Sequence, residues 1–354
     1  MAEKMLMCVI IPAYNVEQYI ESAIHSVLLQ PRKDIQIVCI NDGSTDGTLA
    51  RLRSLSSNNP RVHVIDHPNG GVSAARNLGI EYVFSNISCD YMMFMDGDDL
   101  WYPNWLSADI ESAFREQHDV IAFDFCRADA DLKRRGPSMH TYTGILPGGD
   151  RAVQVDHQSM CASAYRAEFI RENGIRFHTG QKMVEDIDFV LEARSLARTV
   201  CFTERLAYVY RIRRGSAVQK GTSAICYYTD LFDGWIRSHA FLLDRGFESR
   251  CTYGAIKWYL DDFVREQFRQ HGSRRALSEA LQKYAFCMDG EGTDRQKVEA
   301  YLSRFSRGFE LRQNLAGFYI RLRILAKRLP GIRNVMDRRH YPYSLDFHVD
   351  QEDL

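Results

Sequence analysis

Short apolar runs alternate with segments of helical period over residues 1–125, and this alternation restricts the chain to few folds. The runs "MCVII" (Met7–Ile11), "IQIVCI" (Ile35–Ile40), "VHVI" (Val62–Ile65), "YMMFM" (Tyr91–Met95) and "VIAFDF" (Val120–Phe125) have strand length. Near-continuous apolar runs suit strands buried on both faces. Between them, "VEQYIESAIHSVLLQ" brings Tyr19, Ile20, Ala23, Ile24, Val27 and Leu28 to one helical face. Asp46 is placed to cap a helix from near Gly47 and Ser73 one over "SAARNLGIEYVF". Pro103 suits the first turn of another. The expected fold is α/β, with a Rossmann-like, mostly parallel sheet and helices on both faces.

In such a sheet, ligands bind beyond the carboxyl ends of the strands. Those ends are polar here: Pro12-Ala13-Tyr14-Asn15, Asn41-Asp42-Gly43-Ser44 and Asp96-Gly97-Asp98-Asp99. Three carboxylates around one glycine repel one another. A divalent cation resolves that repulsion, and oxygen donors suit Mg²⁺ or Mn²⁺. Alternatively the cluster is a solvated turn, with Asp99 capping the next helix.

Other groups carry two meanings each. Asp42 can accept from a base-edge N–H or belong to an ordinary strand-to-helix turn. Gly70 and Gly71 precede a helix N-terminus, where anions are favoured. Arg76, in the first turn, needs an anion or a carboxylate; a salt bridge to the acid cluster meets that need. In "VEDIDF", Asp186 can be a general base and Glu185 can orient a ligand, or both are an acidic first turn. In "YRIRRGS", Arg211 and Arg213 share a face and suit phosphate, or form a basic solvent face.

Taken in order, "VIIPAYN", "NDGSTDGT", "NGGVSAARNLGI", "FMDGDDLW", "NGIRF" with "VEDIDF", and "YRIRRGS" resemble the family 2 glycosyltransferases of GT-A fold, over roughly residues 5–216. The resemblance implies inverting transfer of a sugar from a UDP-sugar to an acceptor hydroxyl, with Mn²⁺ or Mg²⁺. By that match Asp98 ligates the metal, and Asp96 contacts the donor ribose and the metal's water shell. Pro12, Tyr14 and Asp42 line the uridine site, Arg76 lies near the donor, Glu185 helps to bind the donor and Asp186 is the catalytic base. Arg211, Arg213 and Ser216 close on the diphosphate. Processive relatives carry Gln-x-x-Arg-Trp; none of Trp101, Trp105, Trp235 and Trp258 follows an arginine. The expected enzyme adds one sugar at a time.

The expected organisation is a nucleotide-sugar-binding domain over residues 1–221 and a helical region over 222–354. "AEFIRENGIRF" reads as a short helix turning into a strand, "EDIDFVLEARSLA" as a helix and "AYVYRIRRGS" as a strand. Between Leu311 and His340 stand eight Lys/Arg and one acid, with Leu311, Leu315, Phe318, Leu322, Leu325 and Leu329 on one face. That helix suits an anionic membrane surface near a polyprenyl-linked glycan acceptor. It equally suits packing on its own protein or on a second copy in a homodimer.

A net charge of −1 gives no footprint for nucleic acid. Scattered cysteines, no signal peptide and no run of membrane-spanning length suggest a cytoplasmic chain, at most peripheral on the membrane. Two rivals remain. A sugar-1-phosphate nucleotidyltransferase needs a Gly-rich basic loop after the first strand, which "PAYNVEQ" lacks. An inactive nucleotide-sugar-binding module would tolerate loss of the acids, yet all are present. No Gly-x₄-Gly-Lys-Ser/Thr occurs, which excludes a P-loop kinase.

Overall fold

The computed structural model describes residues 5–213, except 108–109, 134, 139–141, 150–151, 154–158 and 181–184, together with parts of 234–246. All fall within one unit, Met1–Gly272. The elements are β1 (Met7–Ala13), α1 (Ile20–Leu28), β2 (Ile35–Asp42), α2 (Thr48–Asn58), β3 (Val62–His67), α3 (Val72–Asn86), β4 (Tyr91–Phe94) and β5 (Leu100–Trp101). They continue with α4 (Glu111–Arg115), β6 (Val120–Ala128), β7 (Arg135–Ser138), β8 (Gly144–Pro147), β9 (Ser163–Arg166), α5 (Ala167–Asn173), α6 (Glu185–Leu196) and β10 (Thr199–Arg211).

One sheet contains the strands in the order β3-β2-β1-β4-β9-β6-β10-β5, with β7 on β6 and β8 on β10. Strands β3, β2, β1, β4, β6 and β10 run one way; β9 runs against β4 and β6. The α1 and α2 crossovers step from β1 out to β3, and α3 carries the chain back past β1 to β4. Right-handed crossovers put α3 on the face opposite α1 and α2. The reversal lies between β1 and β4, so the crevice at their carboxyl ends is the expected ligand site.

Burial follows the apolar pattern. All seven residues of β1 are buried, as are Ile20, Ala23, Ile24 and Val27 of α1. Helix α3 lies close on β1 because Gly79 has no side chain; a Cβ there would collide with Ile10. Behind β4, Phe94 meets Phe177 and Phe189 edge-on at 5.1 and 5.2 Å, and Phe177 stacks on Phe189 at 4.3 Å. These rings, worth about 1 kcal/mol per pair beyond their buried area, press α6 against the strand that ends in the acid loop.

Several local expectations are corrected. Pro103 opens no helix: Asn104 is left-handed at φ 56°, and Gln30 takes up nearby backbone groups, donating to the Tyr102 carbonyl and accepting from Leu106 N–H. The next helix is α4. Ser73 is not a cap; it lies buried inside α3, whose N-cap is Gly71 at φ 87°. Residues 175–178 form no strand, because Asn77 binds both backbone groups of Phe177. The N-cap of α2 is Gly47 and not Asp46, which stands one residue before it and still accepts from Thr48 N–H at 3.0 Å.

The expected boundary at residue 221, Ser216 and the basic helix of residues 311–340 lie outside the described residues. Within 234–246, Ser238 hydrogen-bonds Glu192 of α6 at 3.0 Å, and Arg245 hydrogen-bonds the Asn173 carbonyl. Among the described residues, no helix is long and apolar enough to cross a membrane.

Candidate functional site

The acid loop leaves β4 and is clamped from below by β10. Asp99 is buried and is no helix cap. Its Oδ2 accepts from the Tyr208 hydroxyl at 2.6 Å and its Oδ1 from Arg211 N–H at 2.8 Å. Asp96 N–H in turn donates to the Tyr208 oxygen at 3.2 Å. Burial, then the charges of Asp98 and Asp96, push the Asp99 carboxyl well above its usual range, against the bonds from Arg211 and Tyr208. Asp99 therefore belongs to the loop's foundation, while Asp96 and Asp98 face outward, 36% and 19% exposed.

The end of β2 is tied just as firmly. Asp42 is buried, and its carboxylate accepts from Gly70 N–H at 2.7 Å and Gly71 N–H at 3.0 Å. The chain's own carboxylate thus occupies the anion-favouring N-terminus of α3. Gly43 turns the chain at φ 67°, where a Cβ would meet the Asn69 nitrogen at 2.6 Å. The loop after β1 joins the loop after β2: Asn15 Oδ1 accepts from Thr45 N–H at 2.8 Å. Pro12 is buried opposite Ile40, and Tyr14 stands half exposed at the rim.

Arg76 joins the acid loop to the start of α6. Its guanidinium meets Asp96 at 2.7 Å and Glu185 at 2.6 Å. Burial penalises its charge, but Asp96 and Glu185 outweigh that penalty and raise its pKa further. Next to Glu185, Asp186 is half buried. Desolvation, then the Glu185 charge, push its carboxyl up to about 7, against Arg76 and with a further rise from Asp96. A carboxylate near neutrality beside a row of acids at a ligand crevice has the character of a general base.

Residues 8–174 match the profile described as "Glycosyl transferase family 2". This segment is a family 2 glycosyltransferase domain. The chain is 29% identical to the uncharacterised glycosyltransferase EpsJ of Bacillus subtilis over 213 residues, 58% of this chain and 61% of EpsJ. It is 29% identical to the uncharacterised glycosyltransferase YibD of Escherichia coli over 273 residues, 70% of this chain and 77% of YibD. The chain thus spans less than two thirds of EpsJ. The crystal structure of S. aureus TarS 1–349 in complex with UDP-GlcNAc superposes with a TM-score of 0.60 at 20% identity, covering 80% of this chain and 81% of that one. At that identity the likeness establishes the shared GT-A architecture.

At the acid loop, Asp96 and Asp98 would offer a hard cation oxygen donors and leave coordination positions for phosphate oxygens and water. Burial, then the Asp96 charge, raise the Asp98 carboxyl, against Arg213. A divalent cation relieves that repulsion, so the residues fit Mn²⁺ or Mg²⁺. Among the described residues, no three His, Cys, Asp or Glu groups converge as a closed metal cage.

The two arginines of β10 and the segment after it differ. Arg211 is buried, its Nε donating to the Asp98 carbonyl at 2.7 Å and its Nη1 to the Ala130 carbonyl at 2.6 Å. Arg213 pairs with the Asp98 carboxylate at 2.5 Å. Both lie over the Tyr19 ring, at 5.0 and 5.4 Å. The sequence reading missed Tyr208, Tyr19, Asn77 and Phe177. Only the alternation of "AYVYR" hints that Tyr208 faces inward; the other three depend on chain segments distant in sequence.

Proposed function

We propose that this chain transfers a single sugar from a UDP-sugar to an acceptor hydroxyl with inversion at the anomeric carbon. The observation that carries this is the Arg76 bridge, which brings the acid loop and the Glu185–Asp186 pair to one crevice. The UDP and UDP-GlcNAc complexes of TarS support a uridine donor by analogy of fold. Pro12, Tyr14 and Asp42 would then border the uridine. Asp42 has lone pairs beyond those given to Gly70 and Gly71, and these can meet the uracil N–H.

Asp96 and Asp98 would hold the divalent cation, which neutralises charge on the departing diphosphate when bound. Asp186 takes the proton of the acceptor hydroxyl. The new oxygen–carbon bond forms on the face opposite the leaving group, and the bond from the anomeric carbon to the diphosphate oxygen breaks. An α-linked donor therefore gives a β-linked product. Arg213 would turn from Asp98 toward the diphosphate, with Ser216 beside it. Arg211 would brace the acid loop through its backbone bonds.

The acceptor we favour is a growing cell-surface glycan, carried on a polyprenyl lipid and met at the cytoplasmic membrane face through residues 311–340. Flotation of the full chain with anionic vesicles, reversed by salt, tests that part; no flotation at low salt refutes it. The activity itself is tested by a panel of UDP-sugars with Mn²⁺ and with chelator. Transfer or donor hydrolysis that needs the metal is expected. Pyrophosphate-dependent nucleotide exchange without transfer would refute the assignment.

A further inference from the structure

Two adjacent residues of α3 grip the chain on both sides of the stretch that leads to Asp186. Arg76 binds Glu185 at 2.6 Å and, with its other terminal nitrogen, Asp96 at 2.7 Å. Its guanidinium carbon lies 5.2 Å from the centre of the Phe177 ring. Asn77 takes both backbone groups of Phe177, donating to the carbonyl at 2.8 Å and accepting from the N–H at 2.9 Å. Arg76 is only 3% exposed, and each of its terminal nitrogens already has a short charge-assisted bond. A donor phosphate would have to displace one of those carboxylates. Ion pairs of this kind are costly to desolvate and add little net stability over apolar packing. What this one does is set the spacing between the acid loop and the start of α6.

We infer that Arg76 is a positioning residue, acting through Glu185 and Asp96 to hold Asp186 at working distance from the donor. This rests on the glycosyltransferase reading with Asp186 as base. It departs from a role for Arg76 as a direct donor contact. Misplacing a catalytic group by about 1 Å costs about 100-fold in rate, and such a loss should fall on turnover and spare binding.

The test uses the full chain, UDP with Mn²⁺ for affinity, and the fastest UDP-sugar of the panel for turnover. Glu185→Gln keeps the shape and removes the charge; Arg76→Met removes the cation. Each is expected to lower kcat about 100-fold while UDP affinity stays within about threefold of wild type. The double variant should lose no more than Arg76→Met alone, because that variant already breaks the Arg76–Glu185 contact. Loss of UDP affinity in Arg76→Met in step with kcat/KM, alongside wild-type turnover in Glu185→Gln, overturns the inference. Should Arg76→Met fail to fold, Glu185→Gln decides alone: wild-type kcat overturns the positioning role. A wild-type chain that neither binds UDP nor transfers sugar overturns both this inference and the glycosyltransferase assignment. Active wild type, dead Asp186→Asn and unaffected Glu185→Gln overturn the inference only.

Discussion

At the residue scale the proposed transfer turns on Asp186. Asparagine has nearly the same shape and cannot take a proton. Asp186→Asn is therefore expected to lower kcat by about 10²–10⁴-fold with UDP affinity unchanged, measurable by calorimetry beside a transfer assay. Normal turnover in that variant would remove Asp186 from the role of base. The pH dependence has a definite sign. Burial and the Glu185 charge push the carboxyl up to about 7, and only the deprotonated form accepts a proton. Hence kcat/KM should rise with pH through the acid range and level off above that value. A cation bound at Asp96 draws the proton off earlier, so the observed midpoint lies at or below about 7. A rate that falls as pH climbs from acid toward neutral would contradict the assignment.

At the element scale the acid loop is held by a strand that arrives more than a hundred residues later. Asp99→Ala leaves the Tyr208 hydroxyl and Arg211 N–H buried without their acceptor. Each such group costs about 1–3 kcal/mol, so urea denaturation should show a loss of roughly 2–6 kcal/mol. Transfer should fall as well, because the loop loses its footing; unchanged stability would show the clamp to be dispensable. The same clamp explains what could be read in the chain beforehand. Strands β1, β2, β4 and β6 declare themselves because both faces are buried, which forces near-continuous apolar runs. The crevice follows, since polar residues can gather only where those runs stop. Strand β9 did not declare itself: "SAYR" is four residues of no marked pattern, made a strand by its place between β4 and β6. Capping stayed open as an alternative for Asp99 because the partners that fix it in the loop, Tyr208 and Arg211, are 109 and 112 residues away. Asp42 was legible as a turn residue, but not that its carboxylate closes on Gly70 and Gly71. Periodicity reports burial, whereas the pairing of polar groups is settled only by the folded path.

At the scale of the whole molecule, the candidate site draws on pieces that the sheet alone does not hold together. The loops after β1, β2 and β4 come from the parallel half; Glu185, Asp186 and Arg213 come from the segment after β9. Besides the Tyr208 and Arg211 bonds to the acid loop and the Asn77 clasp on Phe177, the ion pairs that join these pieces among the described residues are Arg76 with Asp96 and Glu185, and Arg213 with Asp98. Asp96 and Asp98 repel each other until a cation arrives. A nucleotide diphosphate with its metal would bridge these pieces, and a ligand that binds only the folded state stabilises it by mass action. UDP with Mn²⁺ at a hundred times its dissociation constant adds about 2.7 kcal/mol. For a chain of this size that corresponds to a rise in Tm of roughly 4 °C. Asp98→Ala should abolish the Mn²⁺-dependent part of that rise while leaving the Tm of the unliganded protein close to wild type, because the variant removes a carboxylate that is mostly covered and repelled by Asp96, together with its ion pair to Arg213. Thermal scans of both proteins, with UDP alone, Mn²⁺ alone and both together, separate the terms. If UDP and Mn²⁺ shift wild type no more than either does alone, the acid loop does not hold a metal–diphosphate pair, and the role given to Asp96 and Asp98 fails.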